Sequence, residues 1–395
     1  MHVLISGASV AGPTLAYWLL RRGYDVTVVE QAPRLRTGGH GVDFRGAQME
    51  LLRRMDLVDS VRAAETGMGE QVVVDESGRA LVTLPAAFMS GEVEIQRGDL
   101  ARILYERTRE DAEYVFGDSI TALAQDASGV DATFERGGTR RFDFVVGADG
   151  THSGVRSLVW GPEERFSTFL GFYQAGFSVP NHWGLDHSGL LHNEPGLGVM
   201  ISSGRDAATA GVGLVFSAPP LEYDRRDRDQ IVGIVTDRFA DAGWEVPRLL
   251  TGLASATDLW FDRFAQIHLS RWSQGRIVLL GDAAWAAGPG GSGTGLAMAG
   301  AYILAAELAA AGGDHTTAFA RYEAALRKGA VSGQKQARNA GPFLAPPTTA
   351  KIRRRNRVYR VLSSRLLLPL FVRLTEGSAN TVRLDRYPAD GTLVR

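Results

Sequence analysis

Two glycine-bearing elements, one at the start of the chain and one near residue 281, must be satisfied by a single fold. The first is Gly7-Ala8-Ser9-Val10-Ala11-Gly12, which follows the apolar run Val3-Leu4-Ile5 and opens a helical stretch from Ala11 to Arg22. Strand, glycine turn and helix in that order make a dinucleotide site. Gly7 permits the tight turn, and Gly12 lets the helix pack close to the sheet. The pyrophosphate then sits on the helix N-terminus, where free N–H groups and the dipole favour an anion. Ser9 stands where the pattern has its middle glycine; it is small, and its hydroxyl can donate to a phosphate. Val26-Thr27-Val28-Val29 reads as the second strand and ends at Glu30, 23 residues after Gly7. A carboxylate there accepts hydrogen bonds from an adenosine ribose and repels a 2′-phosphate, so this site takes FAD or NAD, not NADP.

The second element is Arg276-Ile277-Val278-Leu279-Leu280-Gly281-Asp282, followed by Gly288-Pro289-Gly290-Gly291-Ser292-Gly293 and a helix over 294–311. Asp282, at the C-terminal end of a strand, belongs in the ligand crevice. Gly291 and Gly293, beside Pro289, and Gly295, beside Thr294 in the first helical turn, let the backbone approach a ligand closely. A nicotinamide dehydrogenase has no use for this element, whereas a chain that wraps an entire FAD does.

The chain has 395 residues, is 45% hydrophobic and carries a net charge of −1. That suits one large domain or two closely packed ones, with no field pointing to nucleic acid. It has no cysteine, which excludes disulfides, iron–sulfur clusters and a thiolate haem ligand. The first strand begins at His2 with no charged or apolar leader before it, and no apolar run approaches the length of a membrane span. A cytosolic location is expected. His182, His187 and His192 recur at five-residue intervals around Asp186, but in a Pro/Asn/Gly-rich loop with no usual zinc spacing, so no metal is expected. Lys351, Arg353, Arg354, Arg355, Arg357, Arg360 and Arg365 carry no interleaved acid. They read as the solvated face of a C-terminal helix rather than a membrane anchor.

The pattern alternates strand and helix at first: strand 2–6, helix 11–22, strand 25–30, a loop over 31–46 and helical segments to about residue 64. Strand-like runs at 71–74 and 80–84, a helix at 97–109 and three β-like runs between 112 and 146 follow, with a short helix from Ser153. From 166 to 264 the texture becomes antiparallel, with strands at 169–179, 189–191, 198–203 and 211–217, helices at 227–241 and 247–254, and a strand at 258–264. The chain then returns to the nucleotide fold. We expect an α/β protein. Residues 1–68, 97–160 and 270–345 form a Rossmann-like nucleotide domain. Residues 69–96 and 161–269 form an inserted, mostly antiparallel substrate domain, and 346–395 a C-terminal bridging helix and tail.

Gly7–Gly12, the segment Gly147-Ala148-Asp149-Gly150-Thr151-His152-Ser153-Gly154-Val155-Arg156 and Gly281-Asp282 occur in that order. They resemble the three signatures of class A flavin monooxygenases, the p-hydroxybenzoate hydroxylase-like family. Gln96-Arg97-Gly98-Asp99-Leu100 resembles that family's arginine segment, and the length is similar to the short branch that includes the tetracycline-inactivating monooxygenases. The resemblance implies FAD as cofactor, NADPH or NADH as transient co-substrate, and O2. It implies that Asp282 bonds the ribityl or pyrophosphate part, that Pro289 to Gly293 face the isoalloxazine, and that Arg97 and Asp149 contact the cofactor. It also implies that Arg156 supports the Asp149 loop, and that Asp43 and Arg45 lie beside the flavin ring unless they merely pair with each other. Trp285 stands where the family often has His, and Gly295 where it has Asn. Trp285 reads first as a packing residue, and Gly295 leaves the work to backbone amides.

The chemistry implied is reduction of FAD by NAD(P)H, addition of O2 at C4a, and transfer of one oxygen from the hydroperoxide to an aromatic or polyketide-like small molecule, in secondary metabolism or antibiotic modification. No protein nucleophile is needed. The substrate pocket is expected between the inserted sheet and the flavin, with Gln174 as the first polar candidate and Phe172, Met200, Ser202, Trp285 and Pro289 behind it. A halogenase shares the fold, but its lysine and Trp-x-Trp segment are absent. A flavin reductase and a silent FAD protein that sequesters its ligand remain alternatives. The oligomeric state is not legible.

Overall fold

Val3, Leu4 and Ile5 are wholly buried in the strand His2–Ser6, inside a six-stranded sheet. A strand buried on both faces reads as a continuous apolar run, which is why this one was legible. The structure, a computed structural model, describes residues 1–36, 39, 41–86, 91–290, 293–364, 367 and 384–387. In the sheet, His2–Ser6 pairs in parallel with Asp25–Glu30 on one side and Phe144–Gly147 on the other. Ile277–Leu279 adds in parallel to Phe144–Gly147, so both glycine elements and the Asp149 segment leave the same sheet edge together. Glu113–Phe116 closes one side in parallel, and Ser273–Gln274 the other in antiparallel.

The second large sheet has seven strands in the order Trp260–Ile267, Ser167–Pro180, Thr209–Ser217, Leu197–Ser203, Ser188–Glu194, Gln71–Val74 and Ala80–Leu84. All neighbours run antiparallel except Ser188–Glu194 with Gln71–Val74. Alternation along Ser167–Pro180 divides its faces. Tyr173, Ala175 and Phe177 enter a core completed by the helices Arg228–Phe239 and Val246–Ser255, while Phe172, Gln174 and Gly176 face the other way.

Two stretches differ from expectation. Within the expected loop over 31–46, Gly41–Phe44 forms a strand paired with Val93–Gln96. Four residues containing an Asp give little periodic signal, and the partner lies some fifty residues away. The region 112–146 holds four short strands before Phe144–Gly147 instead of three runs, because none exceeds six residues.

The helix Gly293–Ala310 is 18 residues long and apolar enough by length and composition to cross a membrane, contrary to the expectation that no such segment exists. It is mostly buried inside the protein, between the helices Ala11–Leu20 and His315–Ala337. An all-round apolar helix needs burial on all sides, and a large soluble core supplies that as well as lipid does.

The helix Thr349–Leu362, capped by Thr348, docks on Ala80–Leu84: Tyr359 joins Val73, Val82 and Leu84, and Arg360 donates to the Leu81 carbonyl at 2.9 Å. Residues 384–387 lie instead on the nucleotide fold, where the Tyr387 hydroxyl donates to Glu307 at 2.8 Å. The other tail residues from 365 onward lie outside the described residues, apart from Leu367.

Candidate active site

Gly12 and Gly7 show why the first turn needs both glycines. A Cβ on Gly12 would lie 1.9 Å from the Gly7 carbonyl oxygen, so no side chain fits between helix and strand. Gly7 has φ +108°, and a Cβ there would lie 2.5 Å from the Ala148 oxygen. The helix Ala11–Leu20 has no side-chain cap and no acid in its first turn, so its N–H groups remain available to an anion. Ser9 is exposed at this mouth. Glu30 is oriented by two backbone amides, Ala8 N–H at 2.9 Å and Ala32 N–H at 2.9 Å, one on each oxygen.

Asp149 meets this turn from the adjacent strand. Its Oδ2 accepts from Val155 N–H at 3.1 Å and Ser6 Oγ at 3.4 Å, while Oδ1 is buried without a partner. Burial pushes its carboxyl above the usual carboxylate range, against the pull of Ser153, the local amides and Arg156. An orphaned buried oxygen beside the phosphate-binding turn is a place for a ligand donor. Arg156 is wholly buried and spans the loop, donating to Thr151 O, Glu163 and Ala283 O. With no exposed surface, Arg156 acts through the loops it ties together and not by touching a ligand directly.

The third element closes on the first. A Cβ at Gly281 would meet Ala297 at 3.3 Å and Ala11 at 3.5 Å, so the Asp282 turn sits against the first turn of the nucleotide helix. Asp282 is accessible from the crevice yet surrounded by protein; burial raises its pKa, and the nearby Arg97 charge draws it down. Arg97 begins the helix Arg97–Glu106 and is half-buried beside Gly39. Gly293 brings its Cα close to Asp282, since a Cβ there would lie 3.4 Å from Oδ1. Pro289 and Thr294 are half-buried and Gly295 is buried, while Gly291 lies outside the described residues.

Asp43 and Arg45 do pair, with Arg45 Nη2 3.8 Å from Asp43 Oδ2. Asp43 also accepts the Gly91 N–H at 2.8 Å and lies across the two-stranded ribbon from Glu94. Burial raises both carboxyls, opposed at Asp43 by Gly91 and Arg45 and at Glu94 by the Thr66 hydroxyl.

On the seven-stranded sheet, Gln174, Met200 and Ser202 are half-buried on one face, with Gly176 opposite Gly213 and Gly211 opposite Ser202. Phe172 lies under the short helix Ala340–Leu344; a Cβ at Gly341 would strike its ring at 2.2 Å. Trp260 lies flat over Gly176. Trp285 is 1% exposed and packs on Trp272 at 4.4 Å between ring centroids. Its expected place among substrate residues is corrected to the packing reading, because an enclosed ring has no face left for a ligand.

Two residues escaped sequence reasoning. Gln48 sits on the buried face of its helix with Met49, Leu51 and Leu52; a polar residue on an apolar face was the available signal. His152 joins Asp262 and Glu163, and no local pattern pointed to Asp262, 110 residues further along the chain.

The fit to FAD is chemical. The set combines an uncapped helix end, a ribose-distance carboxylate, a buried oxygen lacking a donor, and a second carboxylate beside a glycine helix turn. The FAD binding domain family matches residues 1–325. The chain is 42% identical over 329 residues to an uncharacterised protein of Mycobacterium tuberculosis, covering 82% of this chain and 88% of that one. It is 36% identical over 340 residues to a flavin-dependent monooxygenase of Legionella longbeachae, covering 85% and 87%. The crystal structure of the tetracycline destructase Tet(55) superposes with a TM-score of 0.83 at 33% identity, over 97% of each chain. The chain belongs to the FAD binding domain family, in its p-hydroxybenzoate hydroxylase-like class, and is an FAD-dependent monooxygenase served by NAD(P)H and O2.

Proposed function

We propose that this monooxygenase oxygenates a flat aromatic or polyketide-like small molecule, in antibiotic modification or secondary metabolism, on the face of the seven-stranded sheet that carries Gln174. The observation that carries this reading is the composition of that face. Phe172, Met200 and Trp260, which covers Gly176, make it apolar, Gly211 leaves space beside Ser202, and Gln174 and Ser202 supply sparse polar anchors. Residues 69–96 and 161–269 then form the substrate domain; 1–68, 97–160 and 270–345 the FAD domain; and 346–395 a bridge between them. The likeness to a tetracycline destructase supports the same substrate class.

Bound FAD supplies the redox chemistry, taking reducing equivalents from NAD(P)H and passing one oxygen atom of O2 to the substrate. The protein's part is to bind, orient and exclude water. The N–H groups at Ala11 and Gly12 and the Ser9 hydroxyl hold the pyrophosphate, and Asp149 braces the adjoining loop through the Val155 N–H. Glu30 takes the adenosine ribose. Asp282, in the field of the Arg97 charge, takes a ribityl hydroxyl. Gly293, Thr294 and Gly295, with Pro289 beside them, bring backbone amides and a helix N-terminus to the flavin edge, where negative charge gathers on reduction; the dipole contributes at most about 2 kcal/mol. Asp43 and Arg45 border the ring. The net charge and the burial of its apolar helix support work in the cytosol.

The test is the visible spectrum of the purified protein, followed by NAD(P)H oxidation and oxygen uptake against phenols, linear polyketides and tetracyclines. A compound that raises both rates and gains one oxygen atom supports the proposal. Tight binding without turnover supports a sequestering protein, and no response from any flat aromatic compound rejects the substrate class.

A further inference from the structure

Gln48 is only 8% exposed, on a helix whose other inward residues are apolar. Its Oε1 accepts the Arg45 N–H at a long 3.4 Å. The carboxamide lies flat on Gly295, in the first turn of Gly293–Ala310: a Cβ built on Gly295 would lie 2.2 Å from both Cδ and Nε2 of Gln48. Gly295 is not among the positive-φ glycines, so this glycine serves space and not backbone conformation. Position 295 thus has no side chain of its own and is covered by the amide of a residue on a helix about 250 residues earlier. That helix follows directly on the Asp43–Arg45 segment through Gly46, whose φ is +49°.

We propose that Gln48 is a flavin-positioning residue, whose carboxamide fills the notch at Gly295 and sets the Gly293–Ala310 helix end against the flavin edge. This rests on the reading of that helix end as part of the FAD site. Gln48 joins the two segments assigned to the ring, the ribbon at 41–45 and the glycine turn at 293–295. Its Nε2 adds a neutral donor group beside the first backbone N–H groups of that helix. A donor there stabilises the reduced, negatively charged cofactor more than the oxidised one. A merely structural role would leave the redox properties unmoved.

The test compares wild-type holoprotein with Gln48→Met, which keeps the volume and removes the donors, and with Gln48→Ala, Gly295→Asn and the double variant Gln48→Ala/Gly295→Asn. FAD dissociation constant, visible absorbance and midpoint potential are read for each, with far-UV circular dichroism to confirm folding. Gln48→Met is expected to weaken FAD about five- to tenfold, shift the flavin absorbance and move the potential to a more negative value. Gly295→Asn, which collides with Gln48, is expected to retain little FAD, and removing Gln48 in the double variant to restore it. A Gln48→Met protein with wild-type affinity, spectrum and potential overturns the proposal, as does a double variant no better than Gly295→Asn alone. Wild-type protein that cannot bind FAD would instead overturn the site reading, so the two failures are distinguishable.

Discussion

His152 Nε2 lies 3.0 Å from Asp262 Oδ2, which ties the Asp149 loop to a strand of the seven-stranded sheet. Nδ1 of the same ring lies 2.9 Å from Glu163, itself paired with Arg156 and Arg263. A neutral imidazole donates from one nitrogen only, so satisfying both carboxylates requires the doubly protonated ring.

The seam should therefore respond to pH. Burial lowers the His152 pKa, but the hydrogen bonds to Asp262 and Glu163 outweigh it and the net shift is upward. A raised folded-state pKa contributes stability that is whole below the unfolded value near 6.5 and is lost as pH rises through the folded value. The wild-type melting temperature is expected to fall above pH 6.5, and His152→Gln to lose that slope and about 1–2 kcal/mol at pH 6. Melting curves from pH 5.5 to 9 check this. Glu163 is held down to about 2 by His152, Arg263 and Arg156 despite its burial, so its own contribution is whole above 4.5 and lost only as pH falls through about 2.

Gly12→Ala places a methyl 1.9 Å from the Gly7 oxygen. Helix and strand must separate, which costs about 1–3 kcal/mol in packing and more if the turn is lost. The expected outcome is a protein purified with little flavin, read from the ratio of absorbance at 280 nm to that of the flavin band.

Arg97 is the positive charge that opposes the burial penalty at Asp282. Removing it in Arg97→Met should weaken FAD about 10- to 100-fold, equivalent to about 1.4–2.7 kcal/mol. Titration of apoprotein with FAD, followed by flavin fluorescence, measures it. Affinity unchanged within twofold would contradict the role assigned to this pair.

Gln174 shares the sheet face with Met200 and Ser202. Gln174→Ala should leave FAD content unchanged and raise KM about five- to tenfold for any compound that stimulates NAD(P)H oxidation. A loss of flavin instead would place Gln174 at the cofactor.

The nucleotide half of this molecule was legible because its signals are local. Gly7, Gly12 and Glu30 lie within one βαβ unit whose strands are buried on both faces. Asp149 and Asp282 follow their apolar strands by two and three residues. Backbone geometry fixes such spacing before any distant contact forms. The alternation at Phe172–Phe177 likewise separates Phe172, Gln174 and Gly176 from Tyr173, Ala175 and Phe177, since a strand repeats every two residues.

What escaped were groups whose meaning depends on a partner far along the chain. The ribbon of Gly41–Phe44 with Val93–Gln96, the Gln48 amide over Gly295 and the His152 bridge to Asp262 have no periodic signature. Local sequence thus determined the nucleotide turn, the carboxylates that leave the sheet and the face each strand residue occupies. Tertiary structure alone decided that Arg156 and Trp285 are enclosed, that an apolar 18-residue helix is core, and which side chain fills the space a glycine leaves. Burial and cross-chain contact are properties of packing, and packing is settled only when all layers meet.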